Sequence, residues 1–240
     1  MIPLRDANPT RRTPVVTLGL IAACAVVFAV QLGIMATRGD AALGQFVTTW
    51  GVVPAELVAA LTSGALISQE TATLITSQFL HGGLLHISGN MLYLWIFGNN
   101  IEDRFGPLRF LAFYLVGGVV AALTQVAIAP TSTIPTIGAS GAIAATLGAY
   151  IVLFPRARVT TAIFLVFFFQ LIDVPAALVL GFWFVLQLLD GLGSLGVRDA
   201  TEVGGVAFFA HIGGFVFGAG IALLMRLARG SGRPPPRAVG

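Results

Sequence analysis

The chain has no lysine, one cysteine and few charges of either sign, Asp, Glu, Lys and Arg together making 10% of its 240 residues. A single cysteine, Cys24, excludes an internal disulfide framework. Its place inside an apolar run reads as a buried, inert thiol rather than a nucleophile. With lysine absent, all thirteen basic residues are arginine, and most stand in short clusters between apolar runs. That distribution gives no basic face for nucleic acid, so no nucleic-acid partner is expected; the arginines instead report topology. There are three histidines, His81, His86 and His211, but no HExxH pair and no carboxylate at suitable spacing. A zinc site built from them would therefore lack its usual signature, and neither a metal nor a cofactor is expected.

What the chain has in excess is apolar length. Apolar residues make up 57% of it, in runs long enough to cross a hydrocarbon core of about 30 Å, which takes about 20 helical residues. The class is an all-α polytopic membrane protein with the lipid bilayer as its solvent. Residues 1–14, polar and rich in Pro and Arg, read as a flexible cytoplasmic N-terminus. Six spans follow: Val15 to Thr37, Leu84 to Ile101, Leu108 to Ala129, Ser140 to Phe154, Ala176 to Leu192 and Val206 to Leu227. The first is long and followed by others, so it reads as a retained helix rather than a cleaved signal. The connection Arg38–Gln78 carries a moderately amphipathic piece, Ala55–Ile75, suited to the interface. Thr160–Ile172 is too short to span and reads as an interfacial or hairpin-like excursion. The membrane domain is thus 15–228, and 229–240, arginine- and proline-rich, reads as a disordered cytoplasmic tail.

Six spans place Arg5, Arg11, Arg12, Arg104, Arg109, Arg156, Arg158 and the four tail arginines on one side, leaving only Arg38 and Arg198 on the other. By the positive-inside rule both termini are cytoplasmic, with a bacterial plasma membrane as the expected location. Counting back from those charges at about 1.5 Å per residue puts Ser140 and His211 about 22 to 24 Å from the inner boundary. His86 and Asn90 fall at about 18 to 24 Å. Four polar groups at one depth, several ångströms below the outer surface, need partners or a wet cavity, and intramembrane ionisable groups are functional candidates by default.

Small residues suggest how these groups meet. On the fourth span Ser140, Ala144 and Gly148 share a face, and on the sixth His211 is followed by Gly214, Gly218 and Ala222. Such small-xxx-small stripes let membrane helices approach closely, and facing stripes would bring His211 to Ser140. The competing reading is that the stripes serve packing alone and His211 bonds a backbone carbonyl. His86 and Asn90, at i and i+4, share a face and either aim at one spot or act as interhelical glue. His81 reads as an interfacial anchor or as support for that cluster.

The segments His81-Gly-Gly-Leu-Leu-His86-Ile-Ser-Gly-Asn90, Gly138-Ala139-Ser140-Gly141 and Ala210-His211-Ile212-Gly213-Gly214 resemble, in order and on the expected spans, three signatures of the rhomboid intramembrane serine proteases. Gly98, Glu102 and Gly106 also match that family's pattern. The resemblance implies a six-transmembrane-helix rhomboid-like bundle in which Ser140 is the nucleophile and His211 the general base. It implies an oxyanion hole from His86, Asn90 and the Ser140 backbone amide, with His81, Gly138, Gly141, Gly214 and Gly218 in support. The implied partners are transmembrane protein substrates that enter sideways and unwind locally; oligomeric state is not implied. Phe182, Trp183, Phe184, Phe208 and Phe209 serve either as a lateral gate or as lipid-facing bulk. Ala144 stands where some members carry an aromatic ring packed on the histidine, which leaves the partner of the His211 ring open, and Asp190 reads as water-facing rather than catalytic. The alternative function is an inactive rhomboid-like protein that binds transmembrane helices. A channel or transporter would call for paired charges or broken helices deep in the bundle, and the spans have neither.

Overall fold

The computed structural model describes residues 2–165, 168–194 and 207–230. Residues 195–206 of the expected outward loop, with Arg198 and Glu202, and 231–240 of the expected tail lie outside the described residues. In chain order the elements are β1 (Ile2–Asp6), α1 (Val15–Trp50), α2 (Pro54–Thr62), α3 (Gln69–Thr76), α4 (Leu84–Tyr93), α5 (Asn99–Phe105), α6 (Pro107–Ile128), α7 (Ser140–Leu153), β2 (Arg158–Leu165), β3 (Phe168–Pro175), α8 (Ala176–Ser194) and α9 (Phe208–Gly230). Among the described helices, α1, α6, α8 and α9 are long and apolar enough to cross a bilayer. The second expected span is α4 joined to α5 through one π-helical turn, Leu94–Gly98. The fourth is α7, an apolar helix of 14 residues. The fold is an all-α polytopic membrane bundle.

Two local expectations need correction. The first span breaks at Gly39, close to its expected end at Thr37: Gly39 has φ 79° and ψ 178°, which suits a residue without Cβ. What the expected connection hid is a second helical stretch that follows this break and runs on to Trp50. The amphipathic piece Ala55–Ile75 is two helices, and α3 restarts on a reciprocal cap in which the Thr71 amide donates to Ser68 Oγ and the Ser68 amide to Thr71 Oγ1.

Residues 1–14 are not wholly a flexible lead either. Ile2–Asp6 is an outer strand of a three-stranded antiparallel sheet in the order β1-β2-β3, with Ile2 opposite Ala162, Asp6 opposite Val159 and Thr160 opposite Asp173. The β2–β3 pair is the hairpin expected near Thr160–Ile172. The third strand closes it from the other end of the sequence. Asp6 fastens it to the bundle: Oδ2 accepts from the Tyr150 hydroxyl and from Asn100 Nδ2, both at 2.7 Å. Burial pushes the Asp6 carboxyl above the usual carboxylate range, against the lowering effect of its hydrogen bonds from Tyr150 and Asn8.

At the same end Glu102, 4% exposed, caps α1 from a neighbouring helix. Its carboxylate accepts from the Val16 amide at 2.9 Å and from the Thr17 amide and hydroxyl at 2.8 Å each. These amides belong to a first turn that has no intrahelical partner, and a negative charge there also complements the helix dipole. Hydrogen bonds to a charged group are worth about 1.5–3 kcal/mol each. Glu102→Ala therefore lowers stability by about 3 kcal/mol, read as a fall in the unfolding temperature in detergent, and Glu102→Gln lowers it by less.

The centre of the bundle is α7, buried from Gly141 to Tyr150 and flanked by α6 and α9. Its 14 residues extend only about 21 Å, against a core of about 30 Å. A helix that short falls short of the full core; it ends at Leu153 before Phe154-Pro155-Arg156, and its first residue is Ser140.

Candidate active site

Ser140 is held by the loop before it. The Thr136 and Val52 backbones pair in both directions at 2.8 and 3.0 Å, and the Gly138 amide donates to the Ser77 carbonyl at 2.9 Å. Gly138 has a φ of 127°, a conformation costly for any residue with a Cβ. A Cβ there would also lie 2.8 Å from His86 Nε2 and 3.6 Å from Ser140 Oγ. Glycine is thus required twice over, and its bare Cα leaves the space between histidine and serine open.

His211 comes from the first turn of α9. Its Nε2 lies 2.7 Å from Ser140 Oγ. The two residues are brought together by close backbone approach of α7 and α9. A Cβ on Gly214 would strike the Gly141 carbonyl, one on Gly218 the Ala145 carbonyl, and one on Gly148 the Phe215 carbonyl. Gly141 lets α6 approach, since its Cβ would lie 2.5 Å from that of Ala121. The small-residue stripes read in the sequence are the contact faces of these helices.

His86 and Asn90 on α4 both line the cavity in front of Ser140, which has a volume of about 1110 Å³. Asn90 is 9% exposed, and its Nδ2 is buried with no hydrogen-bond partner. A buried unpaired donor costs about 1–3 kcal/mol, and this one makes no interhelical hydrogen bond. The Gly82 amide donates to His86 Nδ1 at 3.3 Å, so the neutral ring carries its proton on Nε2, the nitrogen beside Gly138. The amide of Ser140 itself belongs to the first turn of α7, where amides lack intrahelical acceptors. His86, Asn90 and Ser140 thus line one cavity, with His86 Nε2 the nitrogen turned towards Gly138.

His81 is no interfacial anchor. It is 1% exposed, its backbone is tied to Gln31 of α1 by two 3.0 Å hydrogen bonds, and its ring packs edge-on against His86 with centroids 5.1 Å apart. Gln31 supplies from 50 residues away the partners that let the loop before α4 be buried. His81 stands behind His86 and supports it.

The sequence reading missed the surroundings of the His211 ring. On α8, Gln187 Oε1 lies 2.5 Å from His211 Nδ1, and the Trp183 ring lies against the imidazole with centroids 5.7 Å apart. The aromatic neighbour of the imidazole thus comes from α8, whereas α7 carries Ala144 one turn after Ser140. A signal existed: Gln187 is the only amide, hydroxyl or charged side chain between Ala176 and Leu189. Asp190, one turn further along α8, is exposed. Of the aromatics considered as a gate, Phe184 stacks on Phe215 with centroids 4.5 Å apart while Phe182 is exposed.

Chemically the arrangement supplies a hydroxyl whose proton has an acceptor, and a pocket of donors beside it. A family model, Rhomboid domain, matches residues 68–228. "Rhomboid protease GluP" of Bacillus subtilis is 36% identical over 135 residues, which cover 55% of this chain and 25% of that protein. "Rhomboid protein 1, mitochondrial" of Saccharomyces cerevisiae is 30% identical over 150 residues, 61% of this chain and 39% of that one. "Presenilin-associated rhomboid-like protein A, mitochondrial" of Danio rerio is 32% identical over 165 residues, 68% of this chain and 39% of that one. The chain spans a quarter to two fifths of the length of these relatives. Mitochondrial proteins stand beside a bacterial one, so the relatives do not support the expected bacterial plasma membrane over other membranes.

Proposed function

The chain belongs to the rhomboid family of integral membrane proteins, and from that premise we propose that it is an intramembrane serine endopeptidase acting through Ser140 and His211. The observation that carries the reading is the 2.7 Å contact between Ser140 Oγ and His211 Nε2 at the buried start of α7. His211 takes the Oγ proton as Oγ attacks the carbonyl carbon of the scissile bond, then returns it to the leaving amine. The acyl group is released from Oγ by water, activated by the same nitrogen. The oxyanion is met by the Ser140 amide, His86 Nε2–H and Asn90 Nδ2. The unpartnered state of Asn90 Nδ2 supports this role, because the donor gains its acceptor only as the tetrahedral centre forms. Asn90→Ala lowers kcat by about 10²–10³ with KM little changed, measured on substrate reconstituted in vesicles.

Depth defines the substrate class. An extended peptide bond reaches Ser140 only from a transmembrane or membrane-adjacent segment that unwinds locally, which favours Gly, Pro and other weak helix formers near the scissile bond. Both termini are assigned to the cytoplasmic side, with 15–228 as the membrane domain and Ser140 towards the opposite face. The test is to reconstitute the protein with a single-span substrate carrying a Gly-Pro interruption near its outward end. Cleavage inside the outward third of that segment supports the reading. Cleavage confined to soluble, extended peptides, or none at all, contradicts it.

A further inference from the structure

The nitrogen of His211 that faces away from Ser140 is held by a neutral amide, and that fact carries an assignment resting on the protease reading above. Neutral imidazole has one proton. If it sits on Nε2, Ser140 Oγ becomes an acceptor and its own proton has no base. If it sits on Nδ1, Nε2 keeps the lone pair that takes the Oγ proton. Gln187 Oε1, 2.5 Å from Nδ1, is an acceptor only and therefore selects the second tautomer. Trp183 lies one helical turn before Gln187 on α8, and its ring lies against the imidazole at a tilt of 39° with centroids 5.7 Å apart. Both the Nδ1 partner and an aromatic neighbour of the imidazole thus come from α8.

We propose that Gln187 is a positioning residue for His211, fixing the tautomer and ring rotation that the carboxylate fixes in a Ser-His-Asp triad, with Trp183 limiting rotation about the ring face. An amide in an apolar span needs such a partner, since unpaired polar groups are costly in hydrocarbon. The device differs from a carboxylate in one respect. Gln187 orients the ring but brings no negative charge to the imidazolium that forms when the Oγ proton arrives. Nδ1 keeps its proton throughout, donated to Oε1, so no proton passes to Gln187 at any stage.

That difference makes the role testable in vesicles with the full chain. Gln187→Leu keeps the volume and removes the acceptor; kcat falls by about 10- to 100-fold as the base loses its fixed geometry, while KM stays within about twofold. Gln187→Glu restores an acceptor and adds charge, so kcat recovers to at least a tenth of wild type and the acid limb of kcat/KM moves up by about one pH unit. Among the described residues, the other titratable groups facing His211 are Ser140 from α7 and His86 from α4. His86 is common to both proteins and cancels in the comparison, and Asp190 on α8 is exposed. A residue that merely packs would not move the pH profile. Unchanged kcat in Gln187→Leu, or an unmoved acid limb in Gln187→Glu, overturns the assignment while wild type still cleaves. If the leucine variant fails to fold, the pH profile of the glutamate variant decides. Wild type inert towards substrate and towards a fluorophosphonate would instead remove the protease reading on which the assignment rests.

Discussion

Ser140→Ala and His211→Ala each lower cleavage of a membrane-embedded substrate by about 10⁴ or more, and the double variant is no slower than either single one. The reason is that Oγ and Nε2 form one proton-transfer unit across 2.7 Å. Without the base, Oγ is a neutral alcohol of negligible nucleophilicity; without Oγ, the base has no nucleophile to activate. What remains in either variant is binding and the donors of Asn90, His86 and the Ser140 amide. Initial rates in proteoliposomes, with protein folding checked by thermal unfolding, measure this. Losses that multiply in the double variant would mean that the two side chains act independently, and the dyad would be the wrong description.

Gly218→Leu is expected to lower activity strongly as well, although Gly218 is about two turns from the chemistry. Its Cα faces the Ala145 carbonyl so closely that even a Cβ has no room. No flexible side chain can yield there; backbone must move. Overpacking of this kind costs about 1–3 kcal/mol, and in a membrane no hydrophobic gain offsets it, because lipid is as apolar as leucine. The rate effect is larger than the stability effect. Separating α7 from α9 carries His211 away from Ser140, and a displacement of about 1 Å lowers a rate by about 10². Activity should therefore fall by about 10² or more in a protein that still unfolds cooperatively. Gly220→Leu is the control, because nothing lies within 4 Å of a Cβ there, and it should leave both quantities near wild type. Full activity in Gly218→Leu would show that the α7–α9 contact does not position the base.

Part of this was legible from residue order. Counting along the helices grouped Ser140, His211, His86 and Asn90, and all four line one cavity. The small-residue stripes named the helix faces that bring the first two together. Elements built from distant partners were harder to read. The strand Ile2–Asp6 pairs with residues some 150 positions away, and a short, polar, proline-containing segment shows no periodicity of its own to announce it. His81 is buried because Gln31 satisfies its backbone, a match that depends on the relative rotation of α1 and the loop before α4. Gln187 escaped notice for a chemical reason. Attention to ionisable groups favours residues that titrate, and an amide does not; only the geometry around His211 Nδ1 shows its use.

The central claim is that Ser140 is a nucleophile activated within the bilayer. Its most direct measurement is labelling of the protein in vesicles with a fluorophosphonate, followed by peptide mass spectrometry to locate the adduct. The account predicts one adduct per chain, on Ser140, lost in Ser140→Ala and slowed by about 10³ or more in His211→Ala. An adduct on another serine with Ser140 free, or wild-type protein that cleaves substrate without ever being labelled at Ser140, would contradict it.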